Sequence, residues 1–220
     1  LANAMTDPGL NNVLQQYFPD DAVSATPLGA RILVGAAPPG FTRSDVENTL
    51  LDFASNGTLV GVGDGVDLSS TVFNFMLPRG MLLSANQSPQ PAAAQPASGQ
   101  LEDSGQLEDE DSRNGLGGYH GSVRLPGNGN GAGAFAYYAV GVYSEVMPGH
   151  GSNGIPFFDQ SWKDVVATFY HELCETRTDP DVEEVNRTKN DALLGWYSDH
   201  HGEIGDLPMA LAGGQLGLVM

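Results

Sequence analysis

Apolar residues recur at helical spacing in two stretches of this chain and at strand spacing in several others. In residues 161–177, Trp162, Val165, Val166, Phe169, Tyr170 and Leu173 fall at i, i+3, i+4, i+7, i+8 and i+11. That is the stripe of an amphipathic helix. Ser161 with Asp164 reads as a capping-box variant at its start. Thr178-Asp179-Pro180 closes it, because the residue before a proline avoids the α region. Residues 44–55 repeat the pattern through Val46, Leu50, Leu51, Phe53 and Ala54, with Ser44 and Glu47 as a capping box. Residues 8–19 predict a short helix stopped by Pro19. Strands are expected at 29–36, centred on Arg31-Ile32-Leu33-Val34, at 58–62, at 70–77, at 119–123 and at 135–143. The last of these, Phe-Ala-Tyr-Tyr-Ala-Val-Gly-Val-Tyr, is the strongest strand signal in the chain. The order is strand, helix, two strands, a long loop, two strands, a helix and an acidic tail region. It predicts one α+β domain over 1–220 with a mixed sheet.

Residues 84–117 break the pattern. They hold prolines, alanines and glutamines, with a near-repeat of Gly99-Gln100-Leu101-Glu102-Asp103 at Gly105-Gln106-Leu107-Glu108-Asp109. Large apolar side chains are almost absent, so the segment cannot bury enough surface to offset its ordering. It is expected to be a long, flexible acidic loop or disordered insertion. Gly127–Gly133 is a glycine-rich turn without the Gly-Lys-Ser/Thr of a phosphate loop.

Charge narrows the functional classes. The chain has 220 residues, 40% of them apolar, and a formal charge of −18 from 27 acids and 9 bases. Nucleic-acid binding needs a basic footprint, and none is present. Such a chain can attract cations, while solubility is the ordinary role of most of these charges. No run of about 18 apolar residues exists to span a membrane. No basic stretch followed by an apolar one opens the chain, so no signal peptide is expected there. The single cysteine, Cys174, rules out an internal disulfide.

The helix at 161–177 carries the candidate chemistry. His171 and Glu175 are four apart, so they stack on one face, roughly opposite the apolar stripe. Two ligands at that spacing can hold one metal ion, as in His-Glu-x-x-His zinc helices. Here Glu175 replaces the second histidine. A carboxylate also ligates zinc, though it suits harder ions as well. Glu172 stands where the general base lies in that arrangement and would take a proton from the activated water. The bland reading of this face is a solvated helix side.

Downstream, Gly195 to Asp206 concentrates Asp199, His200, His201, Glu203 and Asp206. Glu203 is one candidate third ligand, as in zincins that use a distant glutamate. Asp181, ten residues after His171, is another, and Asp179 lies nearer but shares its turn with Pro180. Asp199, Glu203 and Asp206 would alternatively chelate calcium. The bland reading of the segment is a polar hairpin with Gly202 at its tip. His120 is expected to be a satisfied histidine beside a tight turn, with a ligand or substrate contact as the alternative. Cys174, next to Leu173, reads as core rather than nucleophile.

Two of these stretches share a pattern with a known family. His171-Glu172-Leu173-Cys174-Glu175, followed by Thr178-Asp179-Pro180, resembles the His-Glu-Leu-Ala-Glu-x-x-Thr-Asp-Pro stretch of phosphate-induced, EXORDIUM-like proteins and their bacterial and fungal relatives. Gly195-Trp196-Tyr197 through Gly202-Glu203-Ile204-Gly205-Asp206 resembles their Gly-Trp-Tyr-Asp … Gly-x-Glu-Ile-Gly-Asp stretch. Tyr119-His120-Gly121-Ser122 is similar to a third block, so the likeness runs over residues 118–206. Where that family often has cysteines, this chain has Leu116-Gly117-Gly118 and Leu207. The resemblance implies a zincin-like fold, metal binding and an extracellular or cell-surface location. The expected function is a zinc-dependent hydrolase acting on a peptide or another small substrate. The alternative is a non-catalytic extracellular binding module stabilised by zinc or calcium.

Overall fold

The computed structural model describes residues 2–20, 23–35, 38–59, 67–85, 111–127, 133–147, 151–153, 155, 158–189, 191–198, 200 and 202–207. Two short helices, α1 (Ala2–Met5) and α2 (Pro8–Asn11), lead into a 3-10 turn, Asn12–Tyr17. There follow β1 (Gly40–Thr42), α3 (Arg43–Ser55), β2 (Val72–Met76), β3 (Leu82–Ser84), β4 (Gly118–Arg124) and β5 (Phe135–Gly141). Then come β6 (Val146–Met147), β7 (Gly151–Ser152), α4 (Ser161–Thr178), α5 (Val182–Thr188), β8 (Tyr197–Ser198) and β9 (Gly202–Glu203). The chain is of the α+β class. Its central sheet has the order β2-β5-β4, with β2 parallel and β4 antiparallel to β5. β1 and β3 form a separate parallel pair, and β6-β7 and β8-β9 are short antiparallel pairs.

Strand alternation explains how the sheet is covered. On β5, Ala136, Tyr138 and Val140 face one way and join Val46 and Leu50 of α3, Leu83 of β3 and Tyr119 of β4. Ala139 faces the other way and meets Val165, Phe169 and Leu173 of α4. The aromatic and β-branched run of β5 thus becomes the buried middle strand between two helices.

Small residues let α4 approach. Gly118 pairs with Gly141 across β4 and β5. A Cβ at Gly141 would lie 3.2 Å from the Phe169 ring, and one at Gly118 would lie 2.7 Å from Thr168 Cγ2. The sheet is therefore bare of side chains where the helix crosses it.

The expected strand at 29–36 does not form over the described residues 29–35. Ile32 and Val34 are 89% and 95% exposed there. A β-prone run needs a neighbouring strand to take its backbone hydrogen bonds, and none of the described residues provides one. Thr58 and Leu59 are likewise outside any strand, and the rest of the predicted strand at 58–62 lies outside the described residues. The predicted loop at 84–117 is ordered at both ends. Ser84 belongs to β3, and Ser112 N–H donates to the Leu83 carbonyl at 2.8 Å while its hydroxyl accepts from Leu83 N–H at 3.0 Å. Residues 86–110 lie outside the described residues.

Helix starts also moved. The capping box of α3 is Thr42 with Asp45, not Ser44 with Glu47. α4 begins without a side-chain cap at Gln160, and Asp164 instead accepts from Phe158 N–H at 2.6 Å. Helix α5, which periodicity did not reveal, is nucleated by Asp181, whose side chain accepts from Glu184 N–H. Among the described residues, no helix is long and apolar enough to cross a membrane.

Candidate metal centre

The second half of α4 presents His171, Glu172 and Glu175 away from the apolar stripe. β4 brings His120 to the same side, because strand alternation turns it opposite to core-facing Tyr119 and pairs it with Ala139. The turn after α4 adds Asp179. The β8–β9 pair and the turn that follows bring Glu203, Gly205 and Asp206 over the helix.

Glu175 is the hub. Its Oε1 accepts from Gly205 N–H at 3.1 Å and lies 3.1 Å from His171 Nε2. Its Oε2 lies 3.8 Å from His120 Nδ1. His171 Nε2 is also 3.4 Å from Asp206 Oδ1, and Asp206 Oδ2 accepts from Glu203 N–H at 3.1 Å. His120 Nε2 donates to the Asp179 carbonyl at 2.8 Å, and Nδ1 stands 3.1 Å from Glu172 Oε2. A carbonyl oxygen only accepts, so the Asp179 contact puts a hydrogen on Nε2.

Glycine makes the cover possible. A Cβ on Gly205 would sit 2.6 Å from His171 Nδ1 and 2.7 Å from Glu175 Oε1. Gly195 passes closer still to the Thr178 carbonyl. That closeness is bonded: Gly195 N–H donates to Asp179 Oδ1 at 3.0 Å and Trp196 N–H to the Thr178 carbonyl at 2.9 Å. The Gly-Trp-Tyr and Glu-Ile-Gly-Asp stretches are therefore docking surfaces for the end of α4.

The helix side read as a solvated face is instead a polar core. Glu172 and Glu175 are 4% and 2% exposed. The site is not closed all round, since the His171 and Asp206 side chains remain 26% and 49% exposed. The site therefore has an inner end at His120 and an outer end at His171.

Its electrostatics follow from burial and surplus acid. Burial disfavours a charged imidazole, yet the carboxylates outweigh it at both histidines. Glu172 and Glu203 raise His120, and Asp206 and Glu175 raise His171, each well above the usual histidine range. Burial raises the Glu175 carboxyl and brings that of Asp179 to about 6. Asp206 is pushed up by burial, but its contact with His171 prevails and holds it below the usual range.

The residues fit a metal ion. His171, Glu172 and Glu175 offer ligand atoms within 4.8 Å of one another, and so do His120, Glu175 and Glu203. Among the described residues, Glu203 Oε1 is buried without a hydrogen-bond partner. It lies 3.2 Å from His120 Nε2, but the hydrogen on that nitrogen is directed at the Asp179 carbonyl. Asp179 Oδ2 is also buried and unpartnered. Buried carboxylate oxygens with no donor are costly unless a cation faces them. A mixed imidazole and carboxylate set suits zinc, and with more oxygens a harder ion.

Of the residues singled out from the sequence, His171, Glu175, Glu203 and Asp206 come together, with Glu172 beside them and turned toward His120. Asp181 is employed elsewhere. Its Oδ2 accepts from Ser122 N–H and Ser122 Oγ, both at 2.7 Å, and its Oδ1 accepts from Glu184 N–H at 2.9 Å. It therefore ties α5 to β4. Asp199 lies outside the described residues. His120 is not beside a turn but inside a strand, at the centre of the acids. The available signal was the alternation of the Tyr119-His120 pair, which places the histidine opposite the core face. Cys174 is half-buried, with burial pushing its thiol up, as befits a packing residue.

Protein-family models, curated proteins and solved structures were all compared with the chain, and none matches it.

Proposed function

We propose that this chain is a metal-dependent hydrolase of zincin type, with zinc as its metal and peptides as its substrate class. His171, Glu175 and Asp206 would hold the ion. The observation that carries the reading is the convergence of Glu175 and Asp206 on His171 Nε2 at the side of the polar core that is most open to solvent among the described residues. Catalytic zinc sites take three protein ligands and keep one position open, and this end of the site supplies both.

Zinc bound there would polarise a scissile carbonyl and acidify a water molecule. The chain's own part is to place a base beside it. Glu172, next in sequence to His171, accepts the proton on its carboxylate. The contact of Glu172 Oε2 with His120 Nδ1 at 3.1 Å sets the orientation of that carboxylate. The packing of Glu172 against the bare backbone of Gly118 keeps it there: a Cβ on Gly118 would lie 3.2 Å from its Oε1. The resemblance to EXORDIUM-like proteins supports metal binding and suggests an extracellular or cell-surface setting.

Elemental analysis of protein purified without added metal or chelator, followed by a peptidase screen, tests the proposal. The expected result is bound zinc, lost in His171→Ala, and peptide cleavage that falls by about 100- to 10,000-fold in Glu172→Gln with the metal retained. Full activity in Glu172→Gln would sink the mechanism.

A second reading is a non-catalytic binding module whose metal is structural. The burial of Glu172 and Glu175 favours it, since structural sites are closed by protein. Under this reading chelation lowers the melting temperature and no peptide or ester is turned over.

A further inference from the structure

We infer that the polar core holds a second divalent cation, at an inner position formed by His120, Glu175 and Glu203, with Glu175 bridging it to the outer position. The inference rests on the outer position being a metal site, because the two share Glu175.

Four observations carry it. The first is the split of the Glu175 carboxylate. Oε1 faces His171 at 3.1 Å and Oε2 faces His120 at 3.8 Å. A carboxylate with an imidazole nitrogen at each oxygen has the disposition of a bridging ligand, and paired metal ions in hydrolases stand about 3.5–4 Å apart.

The second is the orientation of His120. Metal-binding histidines typically donate their other ring N–H to a carbonyl or carboxylate, which fixes the ring. His120 does this from Nε2 to the Asp179 carbonyl at 2.8 Å. Nδ1 is left aimed at the Glu172 and Glu175 carboxylates.

The third is the presence of unmet acceptors. Among the described residues, neither Glu203 Oε1 nor Asp179 Oδ2, both buried, has a hydrogen-bond partner. Asp179 is fully buried, and its carboxylate feels the charges of both Glu203 and His120. Its other oxygen is already taken by Gly195 N–H. Protein donors thus satisfy one oxygen of that carboxylate and leave the other without a partner among the described residues.

The fourth is charge. Glu172, Glu175, Asp179, Glu203 and Asp206 stand against His120 and His171. One divalent ion leaves a surplus of negative charge, and buried charge is tolerated only when paired. Arg43, the buried cation on the other side of β4, is engaged with Glu183 at 2.8 Å.

The inner end is the more enclosed of the two, although the Glu203 side chain is 20% exposed. The His120 and Glu175 side chains are almost wholly buried, whereas His171 reaches solvent. Closed coordination is the mark of a structural ion. The inner ion therefore clamps the β8–β9 pair onto α4, and the outer ion is left for chemistry.

Metal stoichiometry tests this without any assay of activity. The full chain is stripped with chelator, reloaded with zinc, desalted and measured by elemental analysis. Two equivalents are expected in the wild type, and one in each of His120→Ala, Glu203→Gln and His171→Ala. Glu203→Gln, an isosteric change, carries the test if His120→Ala fails to fold. One equivalent in the wild type, kept in Glu203→Gln and lost in His171→Ala, would overturn the inner position and leave the outer one standing. One equivalent lost in Glu203→Gln and kept in His171→Ala would keep the inner position and remove the hydrolase reading. Two equivalents unchanged in both His120→Ala and Glu203→Gln would overturn the assignment of these residues. No bound metal would overturn both positions.

Discussion

Along α4, one face sets Val165, Phe169 and Leu173 against Ala139 of the sheet, and the other sets His171, Glu172 and Glu175 beneath the β8–β9 pair. Both faces are buried, and different forces close them. The apolar face is held by area removed from water, at about 25 cal/mol per Å², and needs no particular partner geometry. The polar face gains little from area. It is held by directed bonds, such as Gly205 N–H to Glu175, and it carries more carboxylate than the fold alone can pair. An apolar interface is complete once packed, whereas the proposed cation would complete this polar one. The two should therefore respond to different perturbations.

Glu175→Gln should give the largest effect. It removes the carboxylate that both positions use. Zinc affinity is expected to fall by more than about 100-fold, since loss even of a supporting group around a metal ligand costs about 10- to 100-fold. Titration with a competing chelator measures it, and unchanged affinity would mean that the polar face is no metal site.

Phe169→Ala perturbs the other face. The ring is fully buried and lies against Gly141. Its loss should cost about 3–5 kcal/mol of stability by the cavity it leaves. Denaturant melts of the metal-loaded protein would show it, while the zinc content of the folded fraction should stay at the wild-type value. A loss of metal in step with stability would erase the distinction between the faces.

Acidity should separate the faces more gently. His120 and His171 have raised values in the fold, so their contribution to the metal-free chain is present below pH ~6.5 and lost as pH rises through those values. The Asp179 carboxyl, raised from 3.8 to about 6, acts in the same direction at lower pH. Metal-free protein should thus melt lower at about pH 8 than at about pH 6.5. Zinc must displace the histidine protons, so the rise in melting temperature on adding zinc should grow over the same interval. Scanning calorimetry with and without zinc checks both signs, and a zinc effect that shrank with pH would contradict them.

Thr42→Ala should have the smallest effect. It removes the hydroxyl that accepts from Asp45 N–H at the start of α3. A loss of about 1 kcal/mol is expected. Metal content should be untouched, because α3 packs on the far side of the sheet from the polar core.

Helices α3 and α4 and the middle strand could be read from sequence because their signals are local. The stripe from Trp162 to Leu173 and the run from Phe135 to Gly141 each state a period and a buried face without help from the rest of the chain. The strand expected around Ile32 failed for the complementary reason. Its residues favour extension, but a strand exists only if another lies beside it, and none of the described residues does. Capping was read two residues off at α3 because Thr42 and Ser44 offer the same hydroxyl chemistry, and only the entry of β1 into the helix selects between them.

For the site, the spacing of His171 and Glu175 already placed two ligand candidates on one helix face, and the acids at Glu203 and Asp206 were visible as a cluster. Sequence spacing alone left the third ligand open among Glu203, Asp181 and Asp206, because each is a carboxylate at a permissible distance along the chain. The fold distinguishes their surroundings. Asp181 is bound by Ser122 and Glu184, Asp206 meets His171, and Glu203 meets His120. The place of His120 came wholly from pairing. It lies 52 residues from Glu172, and only the register of β4 on β5 beneath α4 brings Nδ1 within 3.1 Å of that carboxylate. Periodicity and propensity act over a few neighbouring residues, so the sequence by itself determined the α+β class, the helix and its pair of candidate ligands. Charge compensation acts through space between segments far apart in the chain, so only the tertiary structure decided that a seemingly solvated face is a buried polar core with two ends.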